Sequence, residues 1–489
     1  MNILVIDVGT SSMRGIIYTQ NAHELKKLQI KYCPQYRSEF LTEQNPEEWK
    51  NALVHICKNI VQDDKQSCPI DAISITSQRS SVIPLSGTGD PIGPAIMWQD
   101  KRTMELCHSL TECRDVILKK SGSRINPIYS ASKMSWIHKN QPKLYENAHK
   151  LVVVSDYLIF VMTNQLVTDH TYGSRSLLMN IKTREWDEEL LRIWDIDREK
   201  LCDLIKPGQV AGGISQEFSR LTGIKEGIPV ISAGGDQQCS ALGQGVLRQG
   251  NTQITAGTGA YILSAFDALP EEQTSSLIIG ASAIPDRYIY ECSIPACCSA
   301  FNWYHNCFYP PADTDFAMIN HEIVSARPTG KGPVVLPYFQ GRATPDWNSR
   351  STASFHNITL STERKDLARA LLEGICFEIK ANLEVIKAHL PSINRIVLSG
   401  GLTKCAAFTP MLSGVLDLPV ILSDNAESTA VGAWIAAAVS LKLFTDYEAA
   451  YKTARETDSI QVFYPEHSSE YHAGYQEFQE LYQKLYAHP

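Results

Sequence analysis

Two stretches far apart in the chain carry one local pattern, and that repetition limits the folds open to it. "ILVIDVGTSSMRGIIY" (residues 3–18) is a β-branched apolar run, a Gly-Thr turn and a second apolar run, which reads as a β-hairpin. "TQITAGTGAYILSAF" (residues 252–266) repeats it. One such hairpin early and one just past the midpoint predict a chain of two related halves. "AISITSQRSSVIPL" from Ala72 and "RIVLSGGLTKCAAFTPML" from Arg395 add strand-then-turn units, the second passing into a helix. "RKDLARALLEGICFEIKANLEVIKAHL" carries apolar residues at helical spacing from Leu367 to Leu390. Strands alternating with helices predict an α/β class. At 489 residues with 44% hydrophobic residues, more than one core is expected. The boundary is placed near residue 245, with an N-terminal domain over 1–245, a C-terminal domain over 246–489, and a ligand cleft between them.

Charge and cysteine usage exclude several partners. The net charge of -8 leaves no basic footprint for nucleic acid, and no block of like charge suggests a membrane surface. The longest apolar run, "AVGAWIAAAVSL" from Ala430, is too short to span a bilayer and reads as a buried helix. The opening "MNILVIDVGT" has no basic n-region, which argues against a signal peptide. The 13 cysteines are scattered and contain no C-x-x-C pair, and Cys297 and Cys298 are adjacent and poorly placed to bridge. They read as reduced thiols of a cytoplasmic protein. A small molecule is the expected partner.

The turns suggest what that molecule is. A Gly-Thr-Ser-Ser turn exposes consecutive backbone N–H groups and the hydroxyls of Thr10, Ser11 and Ser12, with little bulk to block an anion. Arg14 follows on the same strand face as Ser12 and offers a charge-assisted contact to a phosphoryl group. Thr258 occupies the second turn, so a phosphate loop in each half suits a nucleotide tail lying in the cleft. Gly400 and Gly401 form a third glycine turn opening a helix, where the backbone can approach an adenosine closely. No G-x-x-x-x-G-K-[ST] is present, so this is not a P-loop protein. "ISAGGDQQCSALGQG" (residues 231–245) sets a lone carboxylate, Asp236, between two glycines and two glutamines, which by itself is compatible with an Asp capping its own turn.

Taken in order, "DVGTSSMRG", "MWQDKRT", "LVTDHTYGSRSLLMNIKTREWD", "GGDQQCSALGQG", "AGTGAY", "PYFQGRATPDWN", "ALLEGICFEI", "LSGGLTKCAAF" and "ESTAVGAWIAAA" resemble the FGGY family of carbohydrate kinases. The resemblance implies two ribonuclease H-like domains of the actin and hexokinase type, ATP and Mg²⁺ as cofactors, and a small sugar or polyol as acceptor. A homodimer is left open. It implies Asp236 as the base that takes the acceptor proton, Gln237 as a holder of another hydroxyl, and Asp7 with Asp236 near the metal. Arg79 and Trp98 fall on family positions that contact the sugar, the arginine donating in a fork to two hydroxyls and the tryptophan packing against the carbon chain. Asp100 and Arg102 read as a local ion pair. Glycerol kinases of this family carry a glutamate at the place of Ser80 and a tyrosine at that of Ile128, so a roomier pocket and a longer acceptor are expected. Cys298 stands where a close-packing glycine is usual and Cys405 where an asparagine often meets the adenine. Two other readings are a glycerol kinase with a redrawn pocket and an acceptor-independent regulatory or chaperone-like ATPase.

Overall fold

The computed structural model describes residues 1–61, 69–311, 316–327, 330–423 and 427–486. Each predicted hairpin forms the middle of a large mixed sheet. In the first half Asn2–Val8 runs antiparallel to Ser12–Thr19, which pairs antiparallel with Glu24–Lys31. On its other side Asn2–Val8 is parallel to Ala72–Ser77, and that strand to Pro229–Gly235, with Val210–Gly213 closing the edge antiparallel. In the second half the antiparallel part is Asn251–Ala256, Ala260–Phe266, Tyr288–Ile294 and Ile278–Ala281. Arg395–Ser399 and Val420–Ser423 follow parallel, and Ile460–Phe463 closes that edge. An antiparallel run of three strands in the first half and four in the second, each joined to two parallel strands, thus builds the same plan twice, as the repeated hairpin predicts.

Side-chain alternation along Asn2–Val8 explains how the first sheet is covered. Leu4, Ile6 and Val8 pack with Trp49, Leu53 and Ile56 of the helix Pro46–Val61. Ile3 and Val5 face the other way, onto the alanine-rich helix Ser428–Ser440 of the second half. That helix is the predicted buried one. Its small side chains let it lie close, so that Ser74 Oγ donates to the Ala433 carbonyl at 2.7 Å and Trp434 Nε1 to the Thr19 carbonyl at 3.0 Å. It also crosses the helix Asp236–Gly243, which follows the last parallel strand of the first sheet as Ser428–Ser440 follows that of the second. The crossing is made at glycines: a Cβ on Gly432 would lie 1.8 Å from the Cys239 carbonyl oxygen, and one on Gly243 would lie 1.9 Å from that of Ser428.

The predicted helix from Arg364 ends at Lys387 and buries Leu371, Leu372, Ile375 and Ile379 in the second core. Arg342 of "PYFQGRATPDWN" forks onto Glu378 of this helix, with Nε and Nη2 donating at 2.8 and 3.0 Å, so two of the quoted motifs are joined by a buried ion pair. The "LSGGLT" turn differs from expectation. Gly400 has φ +103°, and Thr403 closes back on its carbonyl through its N–H and its hydroxyl (3.2 and 2.7 Å). A short 3₁₀ turn over Gly401–Lys404 results, and the α-helix starts only at Phe408. Among the described residues no helix is long and apolar enough to cross a membrane.

Candidate active site

Asp236 stands where the strand Pro229–Gly235 gives way to the helix Asp236–Gly243. The bend is tied down from both sides. Thr76 Oγ1 and the Tyr172 hydroxyl donate to the Gly234 carbonyl at 2.8 and 3.0 Å, and the Gly235 N–H donates to Thr171 Oγ1 at 2.8 Å. Thr171 is itself held by the buried carboxylate of Asp169, which also accepts from the Ser232 hydroxyl. Asp236 Oδ1 accepts from the Gln237 N–H at 2.8 Å, a contact with the next residue at the start of its helix, while 29% of the side chain stays exposed. Burial of the carboxyl raises its pKa, against the pull of Arg79. A more basic carboxylate is a better proton acceptor.

Arg79 lies between the strands Ala72–Ser77 and Val82–Leu85. Its fork is not free for hydroxyls. It closes on Glu291 of the strand Tyr288–Ile294 in the second half, Nη1 donating to Oε2 at 2.8 Å and Nη2 to Oε1 at 3.2 Å. What Arg79 turns to Asp236 is Nε, 3.4 Å from Oδ1. Arg175 adds a second guanidinium 3.6 Å from Glu291 Oε1, stacked 4.7 Å over the Tyr129 ring. Burial by itself would raise the Glu291 pKa, but the two guanidiniums reverse that and hold it at about 2, so the carboxylate is charged. Tyr261 joins this group from the second Gly-Thr hairpin, its hydroxyl pushed up by burial and by Glu291.

Trp98 Nε1 donates to Thr10 Oγ1 at 3.1 Å, and its backbone N–H to Ser81 Oγ at 3.0 Å, so this tryptophan links the acceptor side to the first Gly-Thr turn. Ser80 has φ +68° and donates to the Arg175 carbonyl at 3.2 Å. Ile128 packs on the rim of a neighbouring apolar cluster. Its loop is anchored by Lys133, fully buried, whose Nζ donates to the carbonyls of Pro127, Ile128 and Tyr129 at 2.7, 3.1 and 3.4 Å. Arg102 pairs with Asp100 at 2.8 Å, the local pair expected.

At the two Gly-Thr turns, Ser11 and Thr258 are exposed, and Thr10, Ser12 and Arg14 half-buried. Asp7 sits opposite Arg14 in the hairpin register. Arg14 Nη1 lies 3.9 Å from Asp7 and 3.0 Å from Glu427, at the start of the second-half helix Ser428–Ser440, where Lys27 also pairs. The second turn is pinned from behind, its Thr258 and Gly257 carbonyls accepting from the N–H groups of Cys297 and Cys298 at 2.9 Å each. The Cys298 sulfur lies 3.6 Å from where a Cβ on Gly401 would be, so this thiol fills the space between the second and third turns. Cys405 is buried, and burial pushes its thiol to about 11.

Asp7 fits a cation. It is 9% exposed, its ion-pair partner Arg14 is beyond hydrogen-bond distance, and burial pushes its pKa up to about 7 with Asp236 adding to the rise. Among the described residues no three His, Cys, Asp or Glu side chains converge as a metal cage. One or two carboxylates beside bound phosphates is the setting Mg²⁺ takes. The sequence missed Glu291, Arg175 and Tyr261. Tyr261 and Arg175 lay inside quoted motifs as unremarked neighbours, whereas Glu291 carries no local signal.

Comparison with known proteins accords with this geometry. The family description "FGGY family of carbohydrate kinases, N-terminal domain" matches residues 2–243, and its C-terminal counterpart matches residues 252–441. A glycerol kinase of Thermococcus kodakarensis is 30% identical over 457 residues, 91% of this chain and 89% of its own. A xylulose kinase of Lactococcus lactis is 25% identical over 98% of this chain and 96% of its own. The gluconate kinase structure from Lactobacillus acidophilus shares the fold with a TM-score of 0.93 at 22% identity, covering 99% of this chain and 98% of its own. With an actin-like pair of sheets, a carboxylate beside the ion pair that joins them and both family descriptions spanning the two halves, this chain belongs to the FGGY family of carbohydrate kinases, phosphotransferases that move a phosphoryl group from ATP to an alcohol group of a sugar or polyol.

Proposed function

We propose that this kinase phosphorylates a hydroxyl of a four- to six-carbon sugar or polyol, a ketose or an alditol, held at Asp236. The carrying observation is the placement of that carboxylate: held by the Gln237 N–H of its own helix, 29% exposed, and raised in pKa by burial. Asp236 takes the proton of the acceptor hydroxyl as its oxygen bonds to the γ-phosphorus, and the bond from that phosphorus to the ADP oxygen breaks. Gln237 holds another hydroxyl, and its Oε1 is buried without a partner. Arg79 borders the acceptor through Nε, and Trp98 packs beside it. Thr10, Ser11, Ser12 and Thr258 steady the phosphates, with Arg14 exchanging Glu427 for a phosphate oxygen, and the backbone at Gly400 and Gly401 meets the adenosine. Mg²⁺, where bound, supplies charge neutralisation at the phosphates, and Asp7 and Asp236 are the carboxylates that would hold it. Asp236, Gln237, Arg79 and Trp98 fall within residues 1–245 and the third turn within 246–489, the division we adopt. The free thiols favour a cytoplasmic enzyme, and the oligomer to test for by light scattering is a homodimer.

The acceptor length follows from Ser80 and Ile128, which supply neither the carboxylate nor the phenol expected around glycerol. A lost substrate hydroxyl contact is worth about 1 kcal/mol or more, so kcat/KM for glycerol should fall at least about tenfold below that for the best longer acceptor. Coupled ADP detection over a panel of ketoses, alditols and glycerol measures this. Glycerol leading the panel would overturn the assignment of length.

A further inference from the structure

We propose that Glu291 makes the acceptor pocket selective for uncharged sugars and polyols and excludes acceptors that carry a carboxylate. This rests on the reading that the cleft at Asp236 is the acceptor site. Two cations gather here, Arg79 beside Asp236 and Arg175 beside Glu291, with side chains only 8% and 4% exposed. In so dry a place an uncompensated guanidinium pair would be a strong anion receptor. Glu291, 3% exposed, takes that role itself: both nitrogens of the Arg79 fork close on it, and Arg175 stands 3.6 Å from its Oε1. Two positive and two negative groups, Glu291 and Asp236 being the negative pair, leave the acceptor wall without net charge.

The polar atoms left over match a neutral ligand. Gln237 Oε1 and Gln238 Nε2 are buried without partners, one an acceptor and one a donor, and sugar hydroxyls satisfy both; Arg175 Nε is a further buried donor without a partner. An aldonate, the same carbon chain ending in a carboxylate, would bring a second anion beside Asp236 where the Arg79 fork is already closed on Glu291 and the charge of Arg175 is already balanced by it. Screening by salt is weak at buried groups, so that repulsion acts in full. Because Glu291 comes from the second half and Arg79 from the first, this charge balance exists only when the two sheets stand together as they do here.

The test compares acceptors of equal length. ADP release is measured with xylitol and D-xylulose against D-xylonate, and with sorbitol against D-gluconate. For the wild type, kcat/KM for each aldonate should fall at least about tenfold below its uncharged counterpart, as expected for an uncompensated like-charge contact. Glu291→Gln keeps the shape and removes the charge, and should narrow that ratio by at least about fivefold, a change that mere loosening of the fold would not produce. A wild-type ratio under tenfold, or a folded Glu291→Gln with a smaller shift, overturns the proposal. Should Glu291→Gln fail to fold, the wild-type ratio decides alone. Failure of the acceptor-site reading shows separately, as Asp236→Asn turning over every acceptor like the wild type, and takes the charge balance down with it. An aldonate-preferring wild type that still requires Asp236 overturns the charge balance only.

Discussion

Asp236 is oriented by a backbone N–H of its own helix and faces the one guanidinium nitrogen that Glu291 leaves over. Replacing it with asparagine keeps the shape and removes the proton acceptor. Asp236→Asn should therefore lower kcat by at least about 100-fold while ADP binding, followed by calorimetry, is retained. Near-normal turnover would refute the base. Lys133 gives a second prediction of a different kind. Burial pushes its pKa down from 10.5 to about 7, so between those values the unfolded chain binds a proton that the folded protein has released. Its contribution to unfolding free energy then rises with pH across that window and is flat below it. Lys133→Met has no such slope. Comparing Tm at pH 7 and pH 9.5, the wild type should gain relative to the variant, and parallel changes would show that Lys133 does not titrate in the fold.

At the scale of elements, the crossing of Asp236–Gly243 with Ser428–Ser440 joins the base to the partner lobe. The contact admits no side chain, since the carbonyl of Cys239 would lie 1.8 Å from a Cβ at Gly432. Gly432→Ala must push the helices apart, and overpacking of this kind costs about 1–3 kcal/mol or more. Thermal denaturation should show a lower Tm for Gly432→Ala than for Ala438→Gly in the same helix after allowance for helix propensity. An unchanged Tm would mean the crossing is loose. The helix from Ala430 was legible as buried because it is apolar all round. Its burial against the other half's sheet was not legible, since apolarity names no partner. The "LSGGLT" turn was legible as a glycine turn, but the contact of Thr403 with the Gly400 carbonyl, which delays the α-helix to Phe408, depends on a backbone shape that composition does not report.

For the whole molecule, Asp236 and the third turn lie in different halves, so the reacting oxygen and phosphorus meet only when the halves are brought together. A sugar with a non-hydrolysable ATP analogue should shrink the radius of gyration in small-angle scattering and suppress idle ATP hydrolysis relative to transfer. An unchanged radius, with hydrolysis indifferent to every acceptor, would count against closure as part of catalysis. The amino-acid sequence by itself determined the paired hairpins, the strand-then-turn units from Ala72 and Arg395, the long helix from Arg364 and the position of Asp236, because strand and helix periodicity and turn chemistry act over a few neighbouring residues. Only the tertiary structure decided where the charges go. Arg79 finds Glu291 at a separation of 212 residues and Arg14 finds Glu427 at 413, pairings that carry no periodic signal. The fork expected to hold a sugar is closed instead on a carboxylate from the other half, since a buried guanidinium needs an opposite charge and the docking of the two sheets supplies it.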